Sequence, residues 1–402
     1  MKQISIHDLQ PGMVVTGLID KNQKMLVKQC GVVKSVQIIQ DLKKRGIQQV
    51  MIEIDEPPVQ KIQQDAAVIT NPILNPIKAV PSQGHAPRLK NLQDVKKLFS
   101  EADVVQQNIA KRTRRNESWD TTEIEQITQK LLSAVLETEQ SMWFMSRIHQ
   151  QSPTLFEHSI DVTVILALFA KNLGFKESLI HDLLLGGFLH DVGKLMVPEK
   201  LLSKKANLTE VEKLIVKGHV LLSKELIESK YENIPPVSLA VVEHHHENFD
   251  GSGYPHGLAG DDIPYYGKMI AIANRFAALT VKRANNKPVS NLNALRLIML
   301  ENGKAFDPQL VTPFIRFIGT YPPGTLALIA ANNLERLAIV IDTHPTDPLT
   351  PVVKSFFNVK TNNFLEIENI NLAAPHCNFE IKKSITAEEY NINLEELVDR
   401  CF

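Results

Sequence analysis

Residues Glu243–Asp262 read EHHHENFDGSGYPHGLAGDD. Three consecutive histidines, His244, His245 and His246, are followed by Asp250 and the glycine-punctuated run Gly251-Ser-Gly-Tyr-Pro255, a span too polar to be core. Eight of the thirteen histidines lie between His158 and His256, so the imidazoles are concentrated here. Neutral imidazole is the commonest nitrogen ligand for a protein-bound metal, and His with Asp is the usual composition of such sites. A surface histidine run can also be a fortuitous metal-sticky patch. Against that stands His190-Asp191, which lies behind an apolar segment and is followed by Val-Gly-Lys194. Two separated His/Asp elements indicate a built site.

The surrounding composition is that of an ordinary globular protein. The 402 residues suffice for two or three domains, with 44% hydrophobic and 22% charged residues. Forty-four basic against 45 acidic residues argue against binding a nucleic-acid polymer, so any phosphate recognition must be local. The longest apolar runs, such as Val162–Ala170, are about half of the ~20 residues a membrane span needs. The N-terminal MKQISIHDLQPG lacks the apolar segment of a signal peptide, and Cys30, Cys377 and Cys401 form no framework. These features predict a cytoplasmic, reduced protein.

Along the chain, residues 1–55 predict a small α+β domain. Ile4 and Ile6 alternate, Met13–Val15 with Leu18 and Ile19 suggest paired strands, Val36–Arg45 has helical spacing ending at Gly46, and Val50–Ile54 reads as a strand. His7 beside Asp8 reads as a surface pair. Residues 56–92, with six prolines, read as a linker. Residues 93–150 predict connecting helices; the periodicity of Ile124, Ile127, Leu131, Leu132, Val135 and Leu136 suits a connecting or homodimerising helix. The run Lys111–Arg115 reads as a solvated helix face. Residues 151–318 are almost wholly helical in pattern, with a Thr209-x-x-Glu212 capping box opening a helix before His219. Residues 319–402 predict a β-rich appendage with strands near 325–329, 334–341, 352–357 and 364–367, closed by a helix within 386–398. The fold class is mainly α, with a small β-containing unit at each end.

The series His158, His190-Asp191-x-Gly-Lys194, His219 and His245-His246-Glu-x-x-Asp-Gly-Ser-Gly-Tyr-Pro255 strongly resembles the HD-GYP phosphodiesterases, all-helical members of the HD superfamily that hydrolyse cyclic dinucleotides. The likeness covers roughly residues 150–320. Asp8-Leu-x-Pro-Gly-Met13, Phe306-Asp-Pro308 and Tyr321-Pro-Pro-Gly-Thr325 also resemble a subgroup carrying an extra N-terminal domain. The resemblance implies hydrolysis of cyclic di-GMP, or a mixed GMP–AMP relative, to linear pGpG or GMP. It implies two divalent metal ions, iron or manganese with zinc as a further option, bridged by Asp191. It places His158 and His190 on one ion and His219, His245 and His246 on the other. Lys194 would neutralise a phosphate oxygen, and Gly251, Gly253, Tyr254, Pro255 and Arg283 would shape the substrate groove. His181-Asp182 lacks the following Gly-Lys and reads as an exposed helix pair. His244 reads as solvent-facing or as a support to the ligands, and His256 as surface. Asp250 reads either as a turn residue or as a carboxylate orienting a histidine.

The sequence also departs from the family pattern. The last ligand, an aspartate in Ala-Asp-x-x-Asp-Ala-Leu, falls at Asn274 in Ala273-Asn-Arg-Phe-Ala-Ala-Leu279. Arg283-Ala-Asn285 stands for Arg-Pro-Tyr, Ser223 for a glycine, and Lys204-Lys-Ala206 for Lys-Pro-Gly. Thr154 replaces the glutamate used for a third metal, which implies at most two. Asp161, one helical turn after His158, is either a compensating carboxylate or a surface acid. Two readings follow: a phosphodiesterase, or a degenerate module that binds a cyclic dinucleotide or a protein.

Overall fold

The computed structural model describes residues 2–9, 14–20, 25–33, 36–44, 46–52, 92–148, 155–204, 206–281, 288–343 and 347–401. The N-terminal unit is a sheet of β1 (Lys2–Ser5), β2 (Val14–Asp20), β3 (Met25–Val32) and β4 (Ile47–Ile52), with helix α1 (Val36–Lys44) between β3 and β4. The strands are antiparallel in the order β1-β4-β2-β3. Strand β3 was not anticipated, since Lys28, Gln29 and Gly31 interrupt its apolar alternation.

Helices α2 (Leu92–Arg114), α3 (Thr121–Glu137) and α4 (Glu139–Ile148) precede the central bundle. Asp120 caps α3 by accepting from the Glu123 backbone N–H. The apolar residues that suggested a connecting or dimerising face are turned inward: Ile124, Ile127, Leu131, Leu132 and Val135, with Leu136 packed alongside, share one core with Phe99, Phe144 and the helices that follow. These faces are therefore covered within the chain.

The bundle itself comprises α5 (Leu155–Asn172), α6 (Glu177–Leu189), a 3₁₀ turn (Val192–Met196), α7 (Glu199–Leu202), α8 (Glu210–Lys217), α9 (His219–Lys230), α10 (Pro236–His244), α11 (Tyr265–Thr280), α12 (Asn291–Leu300) and α13 (Pro308–Ile318). Helix α5 is apolar almost all round, as expected of a helix enclosed by others, and Ile160 to Ala170 is buried throughout. The capping box at Thr209 and Glu212 forms with both of its hydrogen bonds. Among the described residues, no helix is long and apolar enough to cross a membrane.

The C-terminal sheet contains β5 (Leu326–Ala331), β6 (Leu334–Asp342), β7 (Val352–Asn358), β8 (Asn363–Asn371) and β9 (Glu380–Ile385), ordered β8-β7-β6-β5-β9 and antiparallel throughout. Period-two alternation divides its residues. Leu326, Leu328, Leu337 and Ile339 join the helical core, whereas Ala327, Ile329, Ala338 and Val340 form a smaller cluster on the other face. Strand β9 was not anticipated: it is an edge strand bearing Lys382 and Lys383, the charge pattern that protects an edge. Helix α14 (Leu394–Cys401) ends the described chain.

Candidate metal centre

Helix ends deliver the site. Helix α6 terminates at Leu189, so His190 and Asp191 fall on the tight turn that follows; α9 begins at His219; α10 ends at His244, immediately before His245 and His246. Gly193 has to be glycine because a Cβ there would lie 2.1 Å from the His219 carbonyl oxygen and 2.4 Å from the Ser223 amide nitrogen. That close approach sets the His190 turn against the start of α9. Ser223 bonds both sides of it: its hydroxyl accepts from the Gly193 N–H at 2.8 Å and donates to the His190 carbonyl at 2.8 Å. The departure at Ser223 thus supplies a buried fastening that the sequence did not announce.

The ligand-type atoms converge in two groups. His158, His190 and Asp191 form one, and His219, His245 and His246 the other, each within 4.8 Å. His190, Asp191, His219 and His245 are buried, while His158 and His246 are partly buried. Asp191 lies between the groups: Oδ2 is 3.3 Å from His190 Nε2, and Oδ1 is 3.2 Å from His219 Nε2 and 3.7 Å from His245 Nε2. Asn274, at 7% exposure, places Oδ1 2.9 Å from His158 Nε2.

Backbone carbonyls set the tautomers. Nδ1 of His190, His219 and His245 faces the carbonyl three residues earlier, those of Gly187, Val216 and Val242, at 2.6–2.7 Å. Each Nδ1 therefore carries the hydrogen, and each Nε2 presents a lone pair inward, as metal-ligating imidazoles do. The Nε2 atoms of His219 and His245 then face one another at 3.3 Å. Two lone pairs at that separation repel unless a cation lies between them. His190 Nε2 and Asp191 Oδ1 are buried with no well-formed hydrogen bond, a cost normally met by a partner. The donor set fits divalent cations.

The electrostatics agree. Burial opposes ionisation of Asp191, but the Lys194 ammonium and the neighbouring imidazoles outweigh it and hold the carboxyl well below the usual range. Burial lowers His219, and burial, with the mutual repulsion that charging these clustered imidazoles would bring, holds His245 and His246 well below the ordinary histidine value. The imidazoles are thus kept neutral, the form a metal requires. Lys194 Nζ sits on Asp191 Oδ2 at 2.5 Å, so here it compensates that carboxylate.

Around the Gly-Tyr-Pro loop, Gly251 has φ +78, and a Cβ on Gly253 would lie 2.2 Å from the Asn248 nitrogen. The Tyr254–Pro255 bond is cis. Tyr254 stacks on His246 with ring centroids 4.5 Å apart, and Lys217 Nζ lies 5.0 Å from the other ring's centre, that of Tyr254. Glu247, not singled out from sequence, organises the loop: its buried carboxylate accepts from the backbone N–H groups of His256, Gly257 and Leu258 at 2.7–3.1 Å. Only its place between His246 and Asp250 could have signalled it.

Other expectations change. Asp250 accepts from the Ser252 N–H at 2.9 Å and is exposed, so it is the turn residue of the two alternatives. Asp161 is 1% exposed rather than a surface acid; it faces the charge of buried Arg147 and is outside both ligand groups. His181 and Asp182 are half-buried rather than exposed, because α3 covers them: His181 Nε2 is 3.1 Å from Thr128 Oγ1. They join neither ligand group. His244 and His256 gather with Glu243, away from the centre. Arg283, Asn285 and Thr154 lie outside the described residues.

Comparison with known families places an HD domain at residues 143–310 and a domain of unknown function, DUF3391, at residues 1–124. The chain is 27% identical over 403 residues to cyclic di-GMP phosphodiesterase PA4108 of Pseudomonas aeruginosa, covering 99% of this chain and 95% of that protein. It is 33% identical over 152 residues to the cyclic di-GMP phosphodiesterase response regulator RpfG of Xanthomonas campestris, covering 38% of this chain and 40% of that one. It is 38% identical over 123 residues to 3′3′-cGAMP-specific phosphodiesterase 2 of Vibrio cholerae, covering 31% and 24%. The chain thus spans nearly all of the first relative and less than half of the other two. Residues 143–310 are thus an HD domain, which carries the His190-Asp191 turn, the converging histidines and a Gly-Tyr-Pro loop of the HD-GYP pattern and follows a DUF3391 domain at residues 1–124.

Proposed function

We propose that this chain is a metal-dependent phosphodiesterase that hydrolyses cyclic di-GMP, or a related cyclic dinucleotide, to linear pGpG or GMP. The observation that carries the reading is the facing pair of Nε2 atoms on His219 and His245, 3.3 Å apart and both beside Asp191. In this reading His158, His190 and Asn274 hold one cation and His219, His245 and His246 the other, with Asp191 shared between them. Iron or manganese suits this imidazole and carboxylate set, and zinc is compatible with it. Bound there, such ions supply Lewis acidity toward phosphate and activation of water at neutral pH.

The chain's own residues do the rest. Backbone carbonyls fix the imidazoles, and burial keeps His219, His245 and His246 neutral. Lys194, the cation already nearest Asp191, is placed to turn its ammonium to a phosphate oxygen. Gly251, Gly253, Tyr254 and Pro255 form the wall along which the dinucleotide would lie, with Arg283 as a further contact. A cytoplasmic location belongs to the same reading. A homodimer through residues 93–150 would have to use the outward side of these helices, where Val104 is exposed, since their apolar faces are covered.

A second reading is favoured by Asn274, whose neutral amide stands where the family pattern has a carboxylate: a degenerate module that binds a cyclic dinucleotide or a protein. Anaerobic purification with iron or manganese, followed by metal analysis and a cyclic di-GMP hydrolysis assay on one sample, separates the two. Two metals per chain and linear product are expected. No turnover in the chain carrying two metals would leave the binding reading.

A further inference from the structure

A third group of ligand-type atoms lies outside the centre. Glu243, His244 and His256 bring a carboxylate oxygen and two imidazole nitrogens within 4.8 Å of one another. Glu243 and His244 end helix α10, and His256 directly follows Pro255, so the three residues join the two ends of the Gly-Tyr-Pro loop.

The geometry is that of positioned ligands. His244 Nδ1 faces the Ala240 carbonyl at 3.0 Å, which leaves Nε2 as the lone-pair nitrogen, the same arrangement seen at His190, His219 and His245. Helix α11 fixes that ring from behind: a Cβ on Gly267 would lie 2.5 Å from His244 Cβ, so only glycine admits the contact. His256 Nε2 lies 2.9 Å from Glu243 Oε1. Neighbouring ligands on a tetrahedral zinc are about 3.3 Å apart, given zinc–ligand bonds of about 2.0 Å, so little adjustment is needed. The two rings have centroids 6.0 Å apart, similar to the 6.1 Å between His158 and His190. Glu243 is also held by Lys224, whose Nζ lies 3.0 and 2.9 Å from its two oxygens. This carboxylate therefore already works as an anchor for positive charge, with Lys224 as the competitor of any entering ion.

We propose that Glu243, His244 and His256 form a peripheral divalent-cation site, suited to zinc through two imidazoles and one carboxylate, with solvent completing the coordination. An ion there ties the end of α10 to the residue beyond Pro255 and closes the loop into a ring. The site shares no residue with the His158–Asn274 centre and does not depend on the phosphodiesterase reading.

The test is a zinc titration of the full chain by calorimetry, beside His256→Ala and Lys224→Met. His256 is partly exposed, so its removal leaves the fold intact. The wild-type chain is expected to bind one equivalent more than His256→Ala. Lys224→Met is expected to bind that equivalent about tenfold tighter, the scale of one charge-assisted contact. Cobalt substituted for zinc should give tetrahedral d–d absorption that is weaker in His256→Ala than in wild type by one ion's contribution. Equal stoichiometry in wild type and His256→Ala, or no tightening in Lys224→Met, would overturn the site.

Discussion

Across helices α5 and α11, His158 Nε2 and Asn274 Oδ1 lie 2.9 Å apart. A carboxylate at position 274 would present a full negative charge to a cation held by His158, whereas the amide offers only a dipole. Asn274→Asp should therefore tighten the ion on the His158 side by about tenfold or more, near 1.4 kcal/mol. The same substitution buries an additional charge close to Asp191, so the metal-free variant should melt below the metal-free wild type. Competition with a chelator, and melting with and without metal, check both signs. Unchanged affinity would remove Asn274 from the ligand set.

The centre itself is tested at the HD turn. Asp191→Asn keeps the volume but removes the charge that faces both imidazole groups. Turnover should fall by at least about a thousandfold, the scale of losing a residue that acts as part of a unit. His190→Ala should do the same, and circular dichroism should show the helices retained in both. Full turnover in either variant would refute the assignment.

Ser223 offers a test of stability separate from chemistry. Ser223→Ala leaves the Gly193 N–H and the His190 carbonyl without their partner in a fully buried place. An expected loss of about 1–3 kcal/mol follows, measured by urea unfolding of the metal-free chain. A change below about 0.5 kcal/mol, the range of an ordinary surface substitution, would mean that these bonds are not made in solution.

Glu212 gives a pH signature. Lys204 and the Thr209 backbone N–H draw its carboxyl down to about 2. The unfolded carboxyl, near 4.5, protonates first, so the cap's contribution is complete above pH 4.5 and is lost as the pH falls toward 2. A carboxyl-carbon NMR titration should find the midpoint near 2; a midpoint at 4.5 would show the capping box open in solution.

Much of the site was legible because its residues sit in short contiguous motifs whose chemistry constrains both type and spacing. His190-Asp191 and His245-His246 could be named before any fold was known. What could not be read depends on residues distant in sequence. Asp161 and Arg147 meet only after α4 packs beside α5, and Glu247 acquires its role only when residues 256–258 return to it. Strand β9 escaped notice because its exposed lysines carry no apolar alternation. Similarly, periodicity revealed an apolar stripe on α3 without saying whether its partner would be another chain or this one.

Helix α8, eight residues long, has two obligations. Val211 and Leu214 are buried in the N-terminal core among Leu18, Leu42 and Val50, with Ile215 packed alongside, and two residues beyond the helix His219 enters the candidate metal centre. Fully covering a side chain of this kind is worth roughly 1.5–3 kcal/mol. The front unit is therefore a poor candidate for modular exchange. Any substitute would have to arrive with an apolar surface already cut to α8, and a lineage that altered one partner would have to alter the other.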